Sequence, residues 1–380
     1  MRLVFDAFEL TPHSAKSKGI YSYALQLCGA MAGQLRPGET MDVVCHGENA
    51  ADFRALGLPP SVRLHERASR MPGRLQRVWW SQFGAALWTR GRGVDAVYLS
   101  PKGFTPGLGR RLTGLRTVCV IHDLIPLWYL RHHPAHFGRL EGWLVKAGLM
   151  HSVRAADGIV AISEATAAAL REAGAEVQRV SVVYNGVPPL PAPALQPGHY
   201  IMALASSLPH KNLAGVLAAY ADYRQHAGPA ALPLKLVGVA GAFGAGVEAL
   251  GTVSAETLSG LYAHAQAFLF LSHIEGFGFP PLEALRAGAP VVCSDIAAHR
   301  ELCAGLATLV PADDPGAAAA ALWEATRVAE PEGVRRERAQ AMAARVAHEL
   351  SWTRCAAGVL RVVRRVARSG GQVAAQECGS

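Results

Sequence analysis

The stretch AFLFLSHIEGFGFPPLEALRAGAPVVCSD (residues 267–295) reads as one strand, loop, helix and strand in succession. AFLFLSHI reads as a buried strand, its first five residues an unbroken apolar run of the kind found in a parallel sheet covered on both faces. Glu275 opens the loop that follows. Pro281 suits a first helical turn, where a backbone N–H has no intrahelical partner, so the sequence predicts a helix over Leu282 to Ala287 closed by Gly288, with Glu283 in its first turn. APVVCS is then the next strand. The amides of Gly276, Phe277, Gly278 and Phe279 collect at the strand end, where glycines let a ligand approach the backbone closely. With a carboxylate on either side to accept hydroxyl pairs, the pattern suits a polyhydroxylated, phosphorylated ligand. In the competing reading Glu283 only answers the helix dipole and Glu275 is a solvated loop residue, each contributing about 0.3–1 kcal/mol.

The same alternation extends in both directions. Upstream, RLVFDAF, MDVVCHG, DAVYLSP, TVCVIHD, GIVAIS and RVSVVYNG are strand-like runs separated by Ala- and Leu-rich helical stretches. Downstream of residue 198, HYIMALAS, LPLKLVGVA, QAFLFLS, APVVCS and LATLVPA repeat the pattern. Strand and helix in strict alternation predict doubly wound parallel sheets. Between the two series lies VPPLPAPALQPG, whose five prolines exclude helix and discourage a central strand. At 380 residues the chain suits two domains. The expected division is a Rossmann-like domain over 1–187, a linker over 188–198, a second Rossmann-like domain over 199–350, and a C-terminal helix and tail over 351–380 that packs back on the first domain.

Open parallel sheets bind ligands beyond the carboxyl ends of their strands, so polar residues there are the first candidates. SSLPHKNL (residues 206–213) places Ser206, His210 and Lys211 ahead of a helix starting near Asn212, where a cation and a helix N-terminus act together on an anion. VIHDLIP sets His122 and Asp123 just past a strand, a position suited to a sugar hydroxyl or to proton handling. SAKSKGIYSY offers Lys18 and Gly19 as an anion loop before the first helix. CSDIAAHREL puts Glu301 near the start of another helix, where a dipole-pairing surface role competes evenly with a functional one. G-x-G-x-x-G does not follow the first strand, a P-loop motif is absent, and no His, Asp and Glu cluster has metal-ligand spacing.

The net charge of +8 is concentrated in one half of the chain. Residues 51–150 hold 15 basic against 5 acidic residues, with Arg63, Arg67, Arg70, Arg74 and Arg77 running into Trp79, Trp80 and Trp88. Basic charge interleaved with tryptophan suits an anionic membrane surface or a phosphorylated acceptor; a solvated basic face over core tryptophans is the plainer alternative. Nucleic-acid binding motifs do not accompany the charge. Seven scattered cysteines without a C-x-x-C pair point to reduced thiols, and MRLVFDAFEL is too short and too charged for a signal peptide or a membrane span. A cytoplasmic protein, peripheral at most to the membrane, is expected.

Taken in order, GIYSYALQL, VDAVYLSP, VIHDLIPLWYL, ADGIVAISEATAAAL, VVYNGV, LPHKNLAGVLAAY, the long segment around E-x7-E and HREL resemble the retaining glycosyltransferases of family 4 over nearly the whole chain. That resemblance implies the GT-B fold of two facing Rossmann-like domains. It implies that Glu283 binds the donor ribose, that Glu275 and the Gly276 to Phe279 amides face the transferred sugar, that Lys211 neutralises the diphosphate, and that His122 contacts the sugar near the reacting carbon. A metal cofactor is not expected. The expected substrates are a nucleotide sugar, GDP- or UDP-hexose with mannose from GDP-mannose favoured, and a lipid-linked or surface-polysaccharide acceptor. His210 stands where the family often has arginine, Ser206 where many relatives have Arg or Thr, and Gly19-Ile20-Tyr21-Ser22-Tyr23 where the related loop reads G-I-G-R-Y. A nucleotide-sugar epimerase of the same fold and a non-catalytic nucleotide-sugar-binding protein are the rival readings.

Overall fold

The computed structural model describes residues 1–11, 18–70, 72–93, 95–188 and 198–377. Nearly all of the proline-rich linker stretch, residues 189–197, therefore lies outside the described residues, as does most of the loop that leads to Lys18. The chain divides into two compact units, one of residues 1–186 together with 352–380 and one of residues 187–351.

In the first unit, seven strands form a parallel sheet: β1 (Arg2–Asp6), β2 (Thr40–Cys45), β3 (Val62–Glu66), β4 (Ala96–Ser100), β5 (Arg116–Ile121), β6 (Gly158–Ala161) and β7 (Val180–Val182). Their spatial order is β3-β2-β1-β4-β5-β6-β7, so the chain reverses direction of travel between β1 and β4. Leu3, Val4, Val43, Leu99, Val118 and Val160 are wholly buried, as the continuous apolar runs require when helices cover both faces. Helix Trp352–Glu377 belongs to this unit and packs on β4, β5, β6 and on helix Lys18–Ala32. Trp352 sits against Tyr23, with ring centroids 5.6 Å apart, and Arg116 at the start of β5 donates to the carbonyl of Ala367. The helix thus runs from the carboxyl ends of the strands back to their amino ends.

The second unit repeats the plan with β8 (Ile201–Leu204), β9 (Leu234–Val237), β10 (Val247–Gly251), β11 (Ala267–Phe270), β12 (Val291–Ser294) and β13 (Thr308–Val310), all parallel, in the order β10-β9-β8-β11-β12-β13. Here the reversal falls between β8 and β11, which pair Ala267 with Ile201 and Leu269 with Ala203. Tyr223, Leu236, Leu269 and Leu322 build the core on one face, beneath helices Leu213–Ala227 and Pro315–Thr326. Arg335 is buried in the same unit, donating to the carbonyls of Ala263 and Ala265 at 2.6 and 3.0 Å. A guanidinium there satisfies carbonyls that the end of helix Ala255–His264 leaves open.

Candidate functional site

The loops after β8 and β11 flank the point where the second sheet reverses, the position at which open α/β sheets bind ligands. After β8 the chain makes a tight turn over Pro209–Lys211 and passes through Asn212, which has φ 52°, the sole positive φ outside glycine among the described residues. Asparagine tolerates this left-handed backbone because its short side chain bonds locally. Its Oδ1 accepts from the Gly215 amide at 3.1 Å, capping helix Leu213–Ala227, and its Nδ2 donates to the Ala312 carbonyl at 2.9 Å. The His273 amide donates to the carbonyl of buried His210 at 2.8 Å, and His273 Nδ1 lies 3.3 Å from Asp313. The loops after β8, β11 and β13 are in this way stapled into one rigid rim.

On that rim Lys211 Nζ donates to Glu275 Oε1 at 2.6 Å, with side chains only 20 % and 10 % exposed. Burial alone would raise the Glu275 carboxyl, but the Lys211 ammonium overcomes this and holds it below the usual carboxylate range. Lys211 also stands 5.3 Å from the Phe270 ring centroid. The sequence brings the cation and the carboxylate together from two loops 64 residues apart.

Glu283 lies on helix Phe279–Arg286. The helix begins three residues before the expected Leu282, because Phe279 and the two prolines already adopt helical geometry in the turn where no N–H is needed. Glu283 is consequently the fifth helical residue, and the first turn holds no acid, which removes the dipole-partner reading. Tyr262, fully buried, donates to Glu283 Oε2 at 3.2 Å. Desolvation pushes the carboxyl up to about 7 and the Tyr262 bond opposes that rise.

Between the two carboxylates, Gly276, Phe277 and Gly278 are buried and Phe279 half-buried. Gly278 has φ 88°, and a Cβ there would stand 2.9 Å from His299 Cδ2 and 3.1 Å from its Nε2. Two independent facts therefore require glycine at the helix entrance. His299 itself escaped the sequence reading, which took Glu301 as the polar residue of HREL. It is fully buried, its Nδ1 donates to the Ser294 carbonyl at 2.8 Å, and its Nε2 is left without a partner. Burial pulls its pKa below the ordinary histidine value, so the ring is neutral. Tyr262 was missed as well, since its only signal is a mid-helix tyrosine in SGLYAHA.

The remaining candidates are placed as follows. Ser206, half-buried, accepts from the Leu208 amide at 3.4 Å within the turn before Lys211. Glu301 is the fifth residue of helix Ala297–Cys303, not a first-turn residue, and its carbonyl accepts from Arg345 at 3.0 Å. Gly19 is the second residue of helix Lys18–Ala32 and exposed, so it stands inside the helix where a preceding loop was expected.

In the first unit His122 follows β5 and its Nε2 stands 2.7 Å from the Pro101 carbonyl. A carbonyl can only accept, so Nε2 carries the hydrogen. Burial drives the imidazole pKa down to about 4 against a smaller opposing effect of that bond, leaving a neutral ring whose Nδ1 can accept but not donate. The Tyr23 ring meets it edge to face at 4.7 Å. Among the described residues there is no group of three or more His, Cys, Asp or Glu arranged to hold a metal ion.

These features agree with what known proteins resemble the chain. Residues 18–189 match the family described as Glycosyltransferase Family 4, and residues 201–327 match Glycosyl transferases group 1. The O-antigen chain mannosyltransferase RfbU of Salmonella typhimurium is 26 % identical over 211 residues, 51 % of this chain and 56 % of the relative. The O-antigen chain mannosyltransferase B of Escherichia coli is 34 % identical over 109 residues, 29 % of this chain and 28 % of the relative. The chain thus spans between about a quarter and just over half the length of the curated relatives it matches. Among solved structures, Anabaena HepE in complex with UDP and glucose superposes with a TM-score of 0.62 at 17 % identity, covering 98 % of this chain and all of that one. WaaG, a glycosyltransferase involved in lipopolysaccharide biosynthesis, gives a TM-score of 0.63 at 13 % identity over 95 % and 99 % of the two chains. The two family matches together span most of the sequence, and with the doubly wound sheets of both units they place the protein: it carries a Glycosyltransferase Family 4 domain followed by a Glycosyl transferases group 1 domain, in the GT-B fold.

Proposed function

We propose that the protein transfers a hexose, mannose from GDP-mannose in the favoured case, onto a lipid-linked or surface-polysaccharide acceptor, with retention at the transferred carbon and without a metal ion. The observation that carries this reading is the buried Lys211–Glu275 pair at the sheet reversal, with Glu283 one turn into the next helix. Glu283 accepts from the ribose hydroxyls of the donor. Lys211, with Ser206 and His210 in the same turn, faces the diphosphate. Glu275 and the amides of residues 276–279 hold the transferred sugar. As the bond between the anomeric carbon and the diphosphate breaks, negative charge grows on the leaving phosphate, and a preorganised donor such as Lys211 is worth about 3–4 kcal/mol there. Relatives named as O-antigen mannosyltransferases support mannose and a polysaccharide acceptor. HepE, solved with UDP and glucose, is the reason to test UDP-hexoses alongside.

Incubation with GDP-[14C]mannose and bacterial membrane extract is expected to label the lipid fraction, with undiminished rate in EDTA. Label released as free sugar or returned as an epimerised nucleotide would refute transfer, and complete, reversible loss in EDTA would refute the metal-free mechanism.

The first unit supports an acceptor at a membrane surface. No helix among the described residues is long and apolar enough to cross a membrane. Yet Leu75 (85 % exposed), Trp79 (55 %), Leu112 (77 %), Leu140 (69 %) and Trp143 (64 %) stand in solvent in segments that also carry Arg74, Arg77, Arg110, Arg111 and Arg139. Apolar side chains beside arginines match the headgroup boundary of an anionic bilayer. The protein is expected to sediment with phosphatidylglycerol vesicles and to lose at least fivefold in binding when Leu75, Trp79 and Trp143 become Ser; equal binding would remove this surface from the account.

A further inference from the structure

At the amino-end side of the first sheet, opposite the strand ends that carry His122, helix Trp352–Glu377 turns an arginine face outward. Arg361, Arg364, Arg365 and Arg368 follow the i, i+3, i+4, i+7 spacing and share one face, and Arg36 from the loop before β2 joins them. Together with Ser369 they line a concavity of about 640 Å³, and no carboxylate among the described residues lines it. Glu39 behind it is engaged by Arg364, which binds both its oxygens at 2.9 and 2.7 Å. Arg365 donates to the neutral Ser181 hydroxyl at 3.1 Å. Arg361, Arg365 and Arg368 therefore face a common space with no balancing anion among the described residues of the lining, and Arg36, whose amide donates to Glu39 Oε2 at 2.9 Å, adds a fourth cation that Glu39 partly offsets.

Like charges three and four residues apart on a helix repel, and arginines with only water to bind gain by spreading apart. Here they cannot move far, because the opposite face of the helix, with Val359, Leu360, Val362, Val363 and Val366, is buried in the unit. The helix that carries them is thus held in place, which keeps the four positions on one side, and their planar forks match phosphate oxygens in pairs. We propose that this concavity is a second anion site, separate from the donor site of the other unit, that binds the phosphate groups of a polyphosphorylated or phosphodiester ligand. Such a group comes from a soluble diphosphate or from the headgroups of an anionic lipid surface.

The test uses the full chain and the variant Arg361→Gln/Arg365→Gln/Arg368→Gln, with Arg364 left in place because it anchors Glu39. All three positions are exposed, so an unchanged melting temperature is expected; Arg36→Gln alone serves as a milder second variant. Titration calorimetry with inorganic pyrophosphate in low salt is expected to show a binding component that weakens at least tenfold in the triple variant, about threefold in Arg36→Gln, and survives in Lys211→Ala. Sedimentation with phosphatidylglycerol vesicles, carried out with Leu75→Ser, Trp79→Ser and Trp143→Ser in both the starting protein and the triple variant so that the other surface does not hold the vesicles, identifies the source. Loss of vesicle binding in the triple variant assigns lipid headgroups, and retained vesicle binding with lost pyrophosphate binding assigns a soluble phosphate. If the triple variant binds both probes as the unaltered protein does, the site does not exist.

Discussion

Glu275 and Glu283 stand eight residues apart around one turn, and burial works on both, yet their carboxyls move in opposite directions. Glu275 has Lys211 at 2.6 Å and is held ionised below the ordinary range. Glu283 has only a tyrosine hydroxyl at 3.2 Å, and desolvation lifts it to about 7. The difference lies in the partner, not in depth. A cation offsets the desolvation of a charge, whereas a single neutral hydrogen bond does not. This separates the pair: Glu275 is part of a preformed electrostatic frame, whereas Glu283 is held by one neutral donor, and under the proposed function a ribose diol adds further donors to it.

The largest test of that contrast is Lys211→Ala. It removes the charge proposed to face the leaving diphosphate and strands Glu275, so kcat/KM is expected to fall about 10²–10³-fold, and the Glu275 carboxyl should rise in pKa. A variant within threefold of the unaltered enzyme would mean that Lys211 serves Glu275 alone. Next in size is Gly278→Ala at the hinge between the two carboxylates. A positive φ and a Cβ 2.9 Å from the His299 ring are expected to cost about 1–3 kcal/mol of stability, read as a lower melting temperature, with weaker donor binding. An unchanged melting temperature would show that the loop relaxes freely and does not fix the spacing of Glu275 and Glu283.

Much of this architecture was legible in the sequence because parallel strands buried on both faces leave unbroken apolar runs, and each loop between them is marked by Gly, Pro, Asn or Asp. The segment AFLFLSHIEGFGFPPLEALR is the clearest case: strand, loop and helix follow from composition, and the helix starts three residues before Leu282 because both prolines, whose fixed φ suits a first turn, lie inside it. The ion pair between Lys211 and Glu275 was not legible, although both residues were named. Nothing in a linear pattern says that loops 64 residues apart meet, since that depends on β8 and β11 being neighbours in the sheet. His299 and Tyr262 were invisible for a related reason. Their roles arise from buried contacts with Gly278 and Glu283, and an isolated His or Tyr on a helix carries no mark of such a contact.

The most direct test of the central claim is calorimetric titration of a nucleotide sugar into the unaltered protein and into Glu283→Ala between pH 6 and pH 8. A carboxyl with its pKa near 7 is protonated and a poorer acceptor at pH 6, and ionised and ready to accept a hydroxyl pair at pH 8. The account predicts that affinity strengthens as pH rises through 7 in the unaltered protein. In Glu283→Ala it should be weaker by at least tenfold at pH 8, about 1.4 kcal/mol, and nearly flat with pH. Equal affinity in the two proteins across that range would contradict the assignment of Glu283 to the donor, and with it the placement of the donor site in the second unit.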